Sequence, residues 1–93
     1  MKQINITDFL SVGEENAITG KDLARILGWH ERDITICVNA ARKQGVFICS
    51  GANGFWLPAD NDDIRYFVKN MRGRIKDMER ALAPAEEYLK GVS

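Results

Sequence analysis

With 93 residues the chain is long enough for one domain, which buries about two-thirds of its unfolded surface. Its 13 basic and 13 acidic side chains cancel, so no global field draws it to nucleic acid or to a membrane surface. Short apolar runs, no basic-then-apolar leader and two cysteines outside any CxxC pair exclude a membrane span, a signal peptide and a disulfide framework, and predict a cytoplasmic chain.

The charge is unevenly spread. Residues 1–20 carry −2, residues 21–59 carry +2, and residues 60–93 carry seven charges of each sign. Ile4, Ile6, Phe9, Leu10 and Val12 suffice for a short first helix after Asn5 or Thr7, packed across the two helices that follow. Residues 13–16, Gly-Glu-Glu-Asn, break it, and Ala17 with Ile18 suits a very short strand.

Thr19 followed by Asp22 imitates a capping box, in which side chains answer the unpaired N–H groups of a helix start. Leu23, Ile26 and Leu27 then share one face, and Gly28 stops the helix where the backbone turns left-handed. A second run places Ile34, Cys37, Val38 and Ala41 on one face, and Gly45 closes it. Two short helices with Gly in a tight turn form the helix-turn-helix signature. Ala24, Gly28 and Ile34 fall in the small–Gly–aliphatic order of that motif, with Ala24 at the helix crossing. The alternative is two amphipathic helices in a small helical bundle.

After Gly45 the period changes. Val46, Ile48 and Ser50 alternate with Phe47 and Cys49; Gly51-Ala52-Asn53-Gly54 is a turn cluster; Phe55-Trp56-Leu57 returns and Pro58 ends the strand. A helix-turn-helix followed by a β-hairpin predicts a winged helix with residues 51–54 at the tip of the wing.

The runs Ala-Ile-Thr-Gly-Lys-Asp-Leu-Ala (17–24), Leu-Gly-Trp-His-Glu-Arg-Asp-Ile (27–34), Arg-Lys-Gln-Gly-Val-Phe-Ile-Cys-Ser (42–50) and Gly-Phe-Trp-Leu-Pro (54–58) resemble small winged-helix proteins of phages and prophages of Gram-positive bacteria. The likeness spans roughly residues 13–90. It implies a winged helix-turn-helix fold and a DNA-binding or regulatory role. Thr35 stands where such helices often carry a basic residue, and Trp29-His30 replaces an aliphatic residue and Ser.

From Asp60 the chain is helical again, with a cap and acidic first turn in Asp60, Asn61, Asp62 and Asp63. Ile64, Val68, Met71, Ile75, Met78, Leu82, Ala85 and Leu89 recur at steps of four and three, the seam of a coiled coil. Pro84 predicts one long helix to about Ala83 and a shorter continuation. The first half of the seam, with Ile64, Phe67, Val68 and Met71, is expected to pack on the preceding domain. Ile75, Met78, Leu82 and Leu89 are left for a dimer interface.

In a winged helix the exposed face of the second helix reads the major groove. That face holds Arg32 for guanine, Asn39 for adenine, and Thr35 and Ile36 for a thymine methyl. Lys21, Arg42 and Lys43 are the phosphate-contact candidates, Lys21 in the first turn of its helix. The hairpin has no Lys or Arg between Phe47 and Pro58, which makes the wing structural. An aromatic stacking platform of Trp29, Phe47, Phe55 and Trp56, and a metal on His30, Cys37 and Cys49, are the less favoured alternatives. Asp60, Asp62 and Asp63 lack the Gly and closing Glu of a calcium loop. No catalytic or cofactor motif is present, so no enzyme, metal or cofactor is expected.

The sequence thus predicts a mainly helical α+β chain in two parts: a winged helix-turn-helix over residues 1–58 and a C-terminal helix over residues 59–93 that packs on the domain, dimerises, or both. The expected function is DNA binding by a homodimer in phage or prophage transcription or replication control. Its rival is a protein-interaction module whose C-terminal helix docks a phage or host protein.

Overall fold

The computed structural model describes residues 5–92, a mainly helical α+β chain with one antiparallel hairpin and a long C-terminal helix. A 3-10 turn, Ile6–Phe9, opens the described chain, and a second, Glu14–Asn16, follows it. Helix α1 is Gly20–Leu27, α2 is Glu31–Lys43, strands β1 and β2 are Cys49–Gly51 and Gly54–Trp56, and α3 is Asn61–Lys90.

The expected first helix is a single turn. Asn5 caps it, its Oδ1 accepting from the Thr7 N–H at 3.2 Å and the Thr7 hydroxyl at 2.6 Å. Gly13, at φ 94°, then redirects the chain. The turn still buries Ile6 and Leu10 against the helices, so one face of the expected helix is in place. Ile4, expected in the same helix, lies outside the described residues.

Helix α1 starts at Thr19, whose hydroxyl accepts from the Asp22 N–H at 3.1 Å. Asp22 does not complete the capping box; its carboxylate pairs with Arg25 at 3.2 Å instead. Gly28 ends α1 at φ 71°, the left-handed region in which a Cβ is penalised. Its neighbour Trp29 donates its N–H back to the Ala24 carbonyl at 2.8 Å. Helix α2 follows, with the Asp33 carboxylate accepting from the His30 N–H at 3.2 Å. Leu23, Ala24, Ile34 and Val38 are buried between the two helices. Ile26 faces outward at 61 % exposure, because Leu23, Ala24 and Leu27 already fill the inward sector of α1.

The hairpin strands are three residues long, paired Cys49 to Trp56, Ser50 to Phe55 and Gly51 to Gly54. Alternation from Val46 predicted a longer first strand. It starts only at Cys49: in this register the next hydrogen-bonded pair would be Phe47 with Pro58, which has no N–H to donate, while the Ile48 carbonyl points away from β2 and accepts from the Arg42 guanidinium at 2.9 Å. The return strand also has a second neighbour. Ile18 and Phe55 exchange both backbone hydrogen bonds, and Leu57 bonds to Ser11 and Gly13, so residues 11–18 flank β2 on its other side. Ala52 and Asn53 make the turn, and Gly54 follows at φ 114°.

Helix α3 runs without interruption through Pro84, so the expected break near Ala83 is absent. Arg80, the residue whose carbonyl loses its helical donor to the proline ring, is exposed, and water can satisfy it. Ile64, Phe67 and Met71 are half-buried on the domain, whereas Val68 is exposed. The distal part stands free. It stretches the molecule to 50 × 34 × 23 Å and its radius of gyration to 16.4 Å, against about 12 Å for a compact domain of this length. No helix among the described residues is long and apolar enough to cross a membrane.

Candidate nucleic-acid interface

Burial of Ile34 and Val38 fixes the rotation of α2 and turns Arg32, Thr35, Ile36, Asn39 and Lys43 to the exterior. None of the polar side chains in this set makes an ion pair or a side-chain hydrogen bond among the described residues. Ile36 is 58 % exposed, an aliphatic side chain left outward on a polar face. The same exterior carries Glu31 and Asp33 in the first turn of α2, so the surface is mixed in sign.

The set divides along the helix. Thr35 and Asn39, with Glu31 and Arg42, line an open groove of about 580 Å³, whereas Arg32, Ile36 and Lys43 lie outside its lining. The opposite wall is the hairpin tip, Gly51, Ala52 and Gly54. The start of α1 and Phe55 contribute Thr19, Gly20 and an aromatic edge, and α3 closes the far side with Met71 and Arg74.

Lys21 is exposed in the first turn of α1, and Lys43 in the last turn of α2. Arg42 differs from them. Its Nε donates to the Ile48 carbonyl at 2.9 Å, an Nη donates to the Ser50 hydroxyl at 3.1 Å, and the guanidinium lies 4.7 Å from the Phe67 ring centre. Burial lowers its pKa from the usual arginine value, the thiol of Cys49 offsets part of this, and the nearby Arg74 charge adds to the lowering. These bonds hold Arg42 to the hairpin and α3.

The aromatic residues do not assemble into a platform: Trp56 is buried, Trp29 and Phe55 are half-buried, and Phe47 is exposed in the segment before β1. The Trp56 Nε1–H has no acceptor among the described residues. Cys49 is buried and Cys37 half-buried, and no three His, Cys, Asp or Glu side chains gather as metal ligands among the described residues.

One groove residue was missed by reading the sequence. Arg74 lies in a stretch, residues 65–76, that holds five cations and no acid. Summing charge to residue 93 conceals that run, because the acidic residues fall before it, at Asp60, Asp62 and Asp63, and after it, at Asp77, Glu79, Glu86 and Glu87. Compared with protein-family models, curated proteins and solved structures, the chain matches none of them.

Proposed function

We propose that the chain is a DNA-binding protein of winged-helix architecture, with α2 as the recognition helix, the β1–β2 hairpin as the wing, and the distal half of α3 as a dimer interface. The observation that carries the reading is the exterior of α2. Arg32, Thr35, Asn39 and Lys43 are exposed, with no side-chain partner among the described residues, on a helix whose inward face is locked by Ile34 and Val38. Such a helix can enter a major groove without first breaking internal bonds. Arg32, Thr35, Ile36 and Asn39 would meet base edges; Lys21 and Lys43 would meet phosphates.

Dimerisation answers the balanced charge. Ile75, Met78, Leu82 and Leu89 are exposed along one seam of α3, and a second copy placed there would join two weak DNA contacts into one stronger one. A winged helix presented as a dimer would suit a role in phage or prophage transcription or replication control, the role expected from the sequence resemblance alone.

Fluorescence anisotropy of a labelled random duplex at about 50 and 200 mM salt tests the reading. Affinity that falls steeply with salt, and falls further in Arg32→Ala and Lys21→Ala, is the expected result. Absence of binding at the lower salt and tens of micromolar protein would favour the second reading, which the exposed seam of α3 also supports. In that reading the domain is a scaffold and α3 docks a phage or host protein.

A further inference from the structure

We propose that Arg74 of α3 supplies the phosphate contact that the hairpin itself lacks. The inference rests on the DNA-binding reading above and adds a residue and an element to it. No Lys or Arg lies between Phe47 and Pro58, so a nucleic-acid backbone passing the hairpin tip meets no cation from the hairpin. Counterion release by bound cations drives such binding, and a tip without one adds little.

The fold brings a cation there from elsewhere in the chain. Arg74 lines the same groove as Thr35 and Asn39 of α2 and Gly51 and Ala52 of the hairpin tip. It also lines a second open groove with Gly51 and Ala52, where Lys69, Glu14 and Asp77 are further charged neighbours. The side chain is exposed and has no carboxylate partner among the described residues, where the ion pairs are Asp22–Arg25, Asp62–Arg65 and Asp77–Arg80.

Its position is set by packing. Phe67, two turns earlier, lies under Arg42, and the Cys49 thiol of β1 points at the Asp63 carbonyl at 3.9 Å. Arg42, the other cation in that lining, spends its Nε–H on Ile48 and one Nη–H on Ser50 and lies over Phe67, so its half-buried fork is held at the base of the hairpin. A duplex read by Thr35 and Asn39 would therefore bring a phosphate to a groove in which Arg74 is the exposed cation and Arg42 the half-buried one. Glu31 is the one acid lining the first groove, and Glu14 and Asp77 line the second with Arg74; none of the three forms an ion pair with Arg74 among the described residues.

The test is the salt dependence of binding to a random duplex, measured for full-length wild type, Arg74→Ala, Arg74→Lys and Arg80→Ala. Loss of one phosphate contact should lower the slope of log K against log salt by about one per chain and weaken binding several-fold at low salt. Arg74→Lys should keep the wild-type slope, since a point charge suffices for a phosphate. Arg80, paired with Asp77 at 3.7 Å and outside both grooves, should change neither quantity. A wild type that binds with a steep slope that Arg74→Ala leaves unchanged overturns this inference and leaves the DNA reading intact. A wild type that does not bind overturns both.

Discussion

Arg42 of α2 lies over the ring of Phe67 of α3, its guanidinium carbon 4.7 Å from the ring centre, while it donates to the Ile48 carbonyl and the Ser50 hydroxyl. One side chain thus joins α2, the start of the hairpin and the base of α3. Its planar fork makes both hydrogen bonds and stacks at the same time, which an ammonium cannot do. Arg42→Ala should cost about 1–2 kcal/mol, from a half-buried hydrogen bond and a partly screened cation–π contact. Arg42→Lys should recover little of it. Urea unfolding of both variants checks this, and full stability in Arg42→Lys would show that charge alone matters.

The local elements were legible because their causes are local. Thr19, Gly28 and the Ile34–Val38 spacing fix α1, the turn and the inward face of α2 within a few residues of themselves. The hairpin was legible in place but not in length. Its first strand stops where Pro58 offers no N–H for the next hydrogen-bonded pair, and its second is paired on the far side by residues 11–18. The groove was not legible, since Arg74 reaches the hairpin tip only through the direction in which α3 leaves the domain. The Pro84 expectation failed for a complementary reason: a helix surrounded by water can surrender one hydrogen bond and continue.

Gly54 and Gly73 should respond to alanine in opposite ways. Gly54 has φ 114°, and a Cβ there would run into the Ile18 carbonyl of the neighbouring segment. Gly54→Ala should cost more than about 2 kcal/mol through backbone strain and loss of the Ile18–Phe55 pairing. Gly73 sits inside α3 with nothing within 4 Å of an added Cβ. Gly73→Ala should stabilise the helix by up to about 1 kcal/mol through helix propensity. Thermal unfolding of the two variants gives the signs, and a destabilised Gly73→Ala would mean that this point of α3 must bend.

Stability should fall on the alkaline side because of Cys49. Burial raises the pKa of its thiol, the Asp63 carboxylate raises it further, and Arg42 offsets part of this. The folded state therefore prefers the protonated thiol. Its contribution is whole below the unfolded thiol pKa of about 8.5 and is lost as pH rises through the folded value. Urea midpoints for wild type and Cys49→Val between about pH 7.5 and 9.5 isolate this effect from lysine and tyrosine titration, which both chains share. The wild type should lose more stability than the variant over that interval; parallel curves would remove Cys49 as the cause.

Leu82 tests the dimer. It is 55 % exposed at the middle of the free seam, between Met78 at 71 % and Leu89 at 68 %. Sedimentation equilibrium at tens of micromolar should give a dimer for wild type and a monomer for Leu82→Asp, which stays folded by circular dichroism because Leu82 is outside the core, and whose thermal unfolding loses the concentration dependence of the wild type. The domain already occupies this face of α3 at Ile64 and Met71. A second straight helix running in the same direction would collide with it, so the two copies should run antiparallel, tail against tail. Residue 89 of each chain then lies near opposite ends of the shared stretch. Leu89→Cys should stay free of an interchain disulfide under mild oxidation, and a disulfide-linked dimer would show that the pair is parallel and that the helices part before reaching the domains.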